Sequence, residues 1–369
     1  VSRWFAKPPV LTYSRPYDTD PSERHAFHAR PASDGMPRLG KIDRDFFETH
    51  VHPRLGADRE DVRLGPTPGV DFGLLDVGGR AVAIATDPVS ILPALGFERA
   101  GRFALDVVLA DVAVSGLAPS HLAVSFSLPP AMEDDEFAAV WEGMHAEARD
   151  LGVSIVTGHT ARYEGCSFPW VGGATALAVG DRSDVVRPDG ARPGDDLLVT
   201  NGPAVETTGL LTTLFGDRID IDADTLRTAR DRLDEASCVR DAMTAAAAGP
   251  VTAMHDATEG GLHGAFVEMA TGAGVRFEVE RDRVPMRPGV EATCAALDVD
   301  PWTATASGSL VLTVDPAGTE AVLSALEDRG TAAAHVGRVV DGEGVVVDGE
   351  SIEAPAVDSA WAAYSELST

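Results

Sequence analysis

Lysine is nearly absent from this chain of 369 residues. Lys7 and Lys41 are the only two, and every other fixed side-chain cation is arginine. Acids outnumber bases 58 to 30, which leaves a formal charge of −28. That balance excludes binding to nucleic acid or to an anionic membrane by bulk electrostatics. An acid-rich, lysine-poor surface matches a halophilic protein, because strong screening makes such self-repulsion tolerable. A merely acidic mesophilic protein is the plainer alternative. Cysteine is scarce as well. Cys166, Cys238 and Cys294 stand far apart without a CxxC pair, so free thiols in a reducing, cytoplasmic setting are expected. No apolar run approaches the roughly 18 residues of a membrane span, and the N-terminus lacks the apolar core of a signal peptide. The phosphate loop GxxxxGK[ST], the dinucleotide fingerprint GxGxxG, the zinc motif HExxH and the nucleophile elbow GxSxG are all missing, which removes those chemistries.

What is present is enough apolar residue, 44%, to build two ordinary domains. Residues 1–35 stand apart: they carry five bases against four acids and no period of 2 or 3.6. They read as a disordered extension or as chain upstream of a true start at Met36. A helix is expected over Asp43–Leu55 and a hairpin from Phe72–Val77 and Ala81–Ala85 around Gly78-Gly79. A buried helix over Phe103–Leu117 follows, then a strand at His121–Leu128 and a helix at Asp135–Leu151. A short strand at Val153–Val156 closes at a Thr157-Gly158 turn, and Trp170–Val179 is another strand. A linker rich in Asp, Arg, Pro and Gly (Gly180–Asp195) separates a first unit, residues 36–180, from a second, 190–347, with a tail over 348–369. The second unit reads as strands at 196–200, 275–279, 308–314 and 336–340. Helices are expected at 205–215, 226–248, 262–270, 290–296 and 320–329, with a terminal helix over 353–368. Mixed strands and helices in both halves indicate an α+β or α/β class.

The richest stretch is Met254 to Leu262, where an apolar approach runs into His255-Asp256-Ala257-Thr258-Glu259-Gly260-Gly261. It reads as strand, tight turn and helix start. The amides of such a turn suit phosphate, and the acid suits the divalent ion that accompanies phosphate. Among 58 acidic residues the informative ones sit in apolar settings: Asp87 after Val82 to Thr86, Asp111 inside Val107 to Val114, and Asp256 after Val251 to His255. A buried bare carboxylate costs several kcal/mol, so each must be neutral, paired or metal-bound. Arginines are sparse around all three, and hard oxygen ligands suit Mg2+. Asp71, at a strand start, is a fourth candidate. Asp87 before Pro88 also suits a turn, as does Asp71. Thr157-Gly158-His159-Thr160 offers amides and hydroxyls to a phosphate, or is a simple turn. Lys41 can reach a phosphate as a point charge. His255 and His159 read as hydrogen-bonded orienters of their neighbours.

Taken in order, these segments resemble the PurM-like superfamily of aminoimidazole ribonucleotide synthetase, over roughly Met36 to Val347. Gly69-Val70-Asp71 is similar to its GxD segment, Thr86-Asp87 to its TD pair, and Ala110-Asp111 through Pro119 to its ND-x-A-x-x-G-x-x-P helix. Thr157 to Thr160 resembles its GG-[HDE]-T turn. His255 to Leu262 resembles the D-x-T-x-G-G-L segment of the HypE-like hydrogenase-maturation branch. The resemblance implies a sheet domain that dimerises, giving a homodimer, and a C-terminal α/β domain packed on it, with ATP between the two. It also implies Asp71, Asp87, Asp111 and Asp256 on Mg2+, and Thr86, Gly158, His159, Thr160, Gly260, Gly261 and Lys41 on the nucleotide. HypE itself carries a C-terminal cysteine that receives a carbamoyl group. The last cysteine here is Cys294, so that chemistry is not expected on this tail.

The expected activity is ATP-driven activation of an oxygen on an unidentified small substrate, with release of phosphate. Asp256, Glu259 and Lys41 would stand closest to the chemistry, Glu259 orienting water or substrate. A nucleotide-binding regulator or maturation partner that no longer turns over is the alternative. A phosphoribosylformylglycinamidine cyclo-ligase of purine biosynthesis is a third reading.

Overall fold

The structure is a computed structural model, and it describes residues 46–67 and 69–368. Lys41, Met36 and the expected N-terminal extension lie outside the described residues. Of the helix expected over 43–55, the described part is a π-helical stretch at Phe47–Val51 and a 3-10 turn at His52–Arg54.

The first sheet has six strands: β1 (Val62–Leu64), β2 (Gly73–Val77), β3 (Arg80–Ser90), β4 (Pro119–Leu128), β5 (Ser154–Arg162) and β6 (Trp170–Gly180). Their order is β1-β2-β3-β6-β4-β5. All neighbours are antiparallel except β4 and β5. Alternation fixes one face as core: Leu122, Val124, Phe126 and Leu128 of β4 are buried while Ser125 is exposed. On that face lie helices α1 (Phe97–Ala113) and α2 (Asp134–Leu151). Phe126 meets Phe137 of α2 edge-on at 5.3 Å between ring centres. The two helices approach closely because each carries a glycine at the contact. A Cβ on Gly101 would lie 2.2 Å from the Val140 carbonyl oxygen, and one on Gly143 would lie 2.0 Å from that of Glu98.

The second sheet has seven strands: β7 (Asp196–Thr200), β8 (Val251–Asp256), β9 (Arg276–Val279), β10 (Leu310–Val314), β11 (Ala333–Val340), β12 (Gly344–Val347) and β13 (Glu350–Ile352). Their order is β13-β12-β9-β11-β7-β10-β8, with only β9 and β12 parallel. Helices α3 (Val205–Phe215), α4 (Ala223–Arg230), α5 (Val239–Ala248), α6 (Gly261–Ala273), α7 (Val290–Ala296), α8 (Thr319–Asp328) and α9 (Ala360–Leu367) accompany it. Every residue of β10 is buried, since both sheet faces are covered. Leu310 and Leu312 join a core with Val239 and Ala242 of α5 and Val322 of α8. Val311 faces the other way, into a core with Leu262, Phe266 and Met269 of α6. The α5 layer is continuous with the core of the first sheet, so the two halves share one apolar interior. Arg240 of α5 pairs across the junction with Glu147 and Asp150 of α2. Arg102 of α1 meets the same Glu147 at 2.8 Å. Both layers are mixed α+β, as expected.

Further expected elements differ, the helix expected over Phe103–Leu117 running instead from Phe97 to Ala113. The helix expected over 226–248 is broken into α4, a 3-10 turn at Asp231–Glu235, and α5. Tertiary contacts win there: Leu233 and Arg232 are buried, and Glu235 is held by Arg287 at 2.6 Å. The strand expected to stop at Val156 runs on through Thr157-Gly158-His159-Thr160, because β4 supplies a parallel partner along its length. The terminal helix begins only at Ala360, and the segment before it crosses the start of α6.

Candidate active site

Four acids distant in sequence meet where the halves join. Asp87 lies inside β3, Asp111 near the end of α1, and Asp256 at the last position of β8. Asp71 lies in the segment entering β2. That segment passes close to α6 at Gly69, whose backbone sits at φ +78° and where an added Cβ would lie 3.2 Å from the Glu268 Cβ. Asp111 feels burial first and then the charges of Asp256, Asp87 and Asp71, and it shares a hydrogen bond with Asp87. Its pKa is therefore raised well above the ordinary carboxylate value. Asp111 thus feels the other three acids at once, as a residue of a shared site would.

One cation faces this cluster among the described residues, and it is an imidazole. His255 is 2% exposed. Its Nδ1 lies 3.3 Å from Asp71 Oδ2 and 2.7 Å from the Asp256 carbonyl oxygen. Its Nε2 lies 2.9 Å from Glu268 Oε2. Burial lowers the pKa of His255, but Asp71, Asp256 and Glu268 outweigh burial and raise it well above the usual value. Polar side-chain atoms of Asp71, His255 and Asp256 lie within 4.8 Å of one another. Asp256 is 2% exposed, and its Oδ1 is buried with no hydrogen-bond partner. A carboxylate oxygen cannot rest unmet at that depth without cost. Hard, anionic oxygens with an orphaned buried lone pair fit a hard divalent cation such as Mg2+.

Asp87, Asp111 and Asp256 also line a cavity of about 30 Å³ between the halves. Its remaining walls come from α1 (Asp106, Val107, Ala110), the segment entering α5 (Ala236, Ser237, Cys238), Thr258, Ser307 and Gly308.

The other expected site residues are placed differently. Gly260 and Gly261 do start α6, but their amides are bonded within the protein: Gly261 to the Thr258 carbonyl at 3.0 Å, Gly260 to Asp358 Oδ2 at 3.0 Å. Packing also accounts for the pair. Gly261 has φ +59°, and a Cβ there would lie 2.6 Å from the Ala304 carbonyl oxygen. Glu259 is exposed in the same turn. Thr86 is exposed and pairs with Thr175 at 2.9 Å. Gly158, His159 and Thr160 lie exposed on the edge strand β5, where His159 Nε2 meets the Tyr163 hydroxyl at 3.0 Å. Sequence reasoning missed Glu268 and Asp106. Glu268 sits twelve residues beyond Asp256 on an exposed helix face, and only the fold brings it under His255.

Known proteins share this architecture. The family model "AIR synthase related protein, N-terminal domain" matches residues 69–181, and the corresponding C-terminal domain matches 192–350. A carbamoyl dehydratase HypE from Rhizobium leguminosarum bv. viciae is 30% identical over 74% of this chain and 77% of its own. The crystal structure of Escherichia coli HypE superposes with a TM-score of 0.65 at 25% identity, covering 85% of this chain and 96% of that one. A hydrogenase maturation protein HypE solved in complex with ATP superposes at 0.61 with 25% identity, covering 82% and 88%. Among the described residues no helix is long and apolar enough to cross a membrane.

Proposed function

Since this chain belongs to the AIR synthase related family, we propose that it is an ATP-using, Mg2+-dependent enzyme of the HypE-like type, which activates an oxygen of a small substrate and releases phosphate. The observation that carries this reading is the convergence of Asp71, Asp87, Asp111 and Asp256 from both halves, with His255 as the cation facing them. Acids so placed repel one another, and a divalent ion resolves the repulsion. Bound there, such an ion would neutralise phosphate charge, which is most of what phosphoryl transfer asks of a protein.

In this reading Asp71, Asp87, Asp111 and Asp256 hold the metal. His255, fixed from below by Glu268, orients Asp71 and Asp256 and balances part of their charge. The enclosed walls exclude bulk water from the reacting oxygen. Glu259 in the exposed β8–α6 turn orients water or substrate, and Lys41 approaches the phosphates. Thr86 and the exposed Gly158-His159-Thr160 of β5 contact the nucleotide. The open edge of β5, with Val156 at 56% exposure, serves a homodimer. The similarity to a HypE solved with ATP supports nucleotide binding by this chain.

The test is calorimetric titration with ATP and Mg2+, followed by phosphate release over candidate substrates at high salt, for the native chain and Asp256→Asn. Binding that requires Mg2+ and is lost in Asp256→Asn is expected. ATP binding indifferent to both would overturn the assignment. Tight binding with no turnover would favour the regulator reading.

A further inference from the structure

Asp106 lines the same cavity but belongs to none of the metal-facing acids. It is 6% exposed on α1, and its Oδ1 is buried with no hydrogen-bond partner among the described residues. Its neighbours Leu105 and Leu109 are fully buried core, so a leucine here would avoid the cost of an unmet buried oxygen. The electrical surroundings also differ from those of the metal-facing acids. Asp111 answers to Asp256, Asp87 and Asp71. Asp106 answers to burial and then to Glu147, which together raise its pKa to about 7, against Arg102, Arg240 and a hydrogen bond with Ser237.

The lining therefore has a second part: Asp106 with Ser237 and Cys238. Among the described residues no Lys, Arg or His lines the cavity, and its carboxyls are those of Asp87, Asp106, Asp111 and Asp256. A carboxylate or other anionic head would be repelled. A neutral or cationic group with N–H or O–H donors would meet the orphaned oxygen. A volume of about 30 Å³ holds one such small group.

We infer that Asp106 is a specificity-determining residue of this site, its buried Oδ1 accepting an N–H or O–H donor from a small, uncharged or cationic head group of the substrate. The inference rests on the ATP-dependent reading of the site. No bond or proton changes hands at Asp106; it selects and orients what is activated.

The full chain, with ATP and Mg2+, is titrated with formamide and methylammonium, and with acetate as counter-probe, by ligand-observed NMR. Native protein, Asp106→Asn and Asp106→Leu are compared. Both donors bind the native chain and acetate does not. Asp106→Leu weakens both donors at least tenfold. Asp106→Asn keeps formamide and loses methylammonium. ATP affinity stays within twofold in both variants, and the Tm of Asp106→Leu holds or rises by about 2–4 °C because an unmet buried oxygen is removed. The inference is overturned if the donors bind no better than acetate, if Asp106→Leu binds them as the native chain does, or if both variants lower Tm, which marks a structural carboxyl. Should ATP with Mg2+ fail to bind the native chain, the ATP reading falls by itself. The same probe comparison without nucleotide then decides Asp106.

Discussion

Asp358 accepts the amide of Gly260 at 3.0 Å, so a carboxylate from the segment before α9 sits at the start of α6. The same Oδ2 takes the Thr305 hydroxyl at 2.7 Å, and Oδ1 takes the Ala360 amide at 2.8 Å. One buried side chain thus ties the C-terminal segment to the turn that follows Asp256. A helix N-terminus favours an anion, and here the protein supplies its own.

Removing that tie has a definite expected cost. Asp358→Ala strands three donors at a 7% exposed position. Hydrogen bonds to a charged acceptor contribute about 1.5–3 kcal/mol each, with partial recovery by water. A loss of about 2–3 kcal/mol in urea unfolding is expected. Unchanged stability would show that the segment does not hold the turn.

Gly261→Ala separates packing from phosphate binding. The Cβ would enter a backbone at φ +59° and lie 2.6 Å from the Ala304 carbonyl oxygen. The left-handed conformation alone costs about 1–2 kcal/mol. Stability should fall by about 2–3 kcal/mol, strain and crowding together. ATP affinity of the folded fraction should hold within twofold, measured by calorimetry below the melting transition. A large selective loss of ATP affinity would return the glycine pair to the phosphates.

That contrast shows what the sequence could and could not reveal. Asp87, Asp111 and Asp256 were legible because each interrupts an apolar run, and a carboxylate in such a run needs a physical reason. The helix–sheet alternation was legible from the apolar pattern: Leu122, Val124 and Phe126 repeat at period 2, and α1 from Phe103 onward is apolar nearly all round. The purpose of Gly260 and Gly261 was not legible. Their neighbours, Pro355 and Ala304, are 95 and 43 residues away, and a glycine looks alike whether it admits a phosphate or a carbonyl. Glu268 and Asp106 were hidden likewise, because only long-range packing turns one toward His255 and the other into a cavity. The end of β5 was misplaced because a Thr-Gly step suggests a turn until a parallel neighbour is present.

The junction of the halves depends on Arg240. Arg240→Ala leaves Glu147, 5% exposed, with Arg102 alone as partner. Breaking a fully buried pair costs about 3–5 kcal/mol; with Arg240 partly exposed and one partner remaining, about 2 kcal/mol is expected. The double variant Arg240→Ala, Glu147→Gln should recover part of the loss, since the stranded charge is gone. Equal losses in the single and double variants would mean the pair contributes packing alone.

Stability should also depend on pH through Glu206. This half-buried carboxyl accepts the Ser307 amide at 3.2 Å. Burial raises its pKa from 4.5 to about 7; hydrogen bonding with Ser307 opposes this, and the charges of Glu259 and Asp358 add to it. Between those two values the folded chain keeps a proton that the unfolded chain has released. The folded state then binds more protons, so this contribution is full below pH 4.5 and is lost as pH rises through about 7. Glu206→Gln fixes the neutral form. Its stability relative to the native chain should be flat below pH 4.5 and should climb steadily to about pH 7. Urea unfolding of both proteins across that range measures the difference. A difference independent of pH would show that Glu206 ionises alike in the folded and unfolded chains, and that the acids around it do not hold its proton.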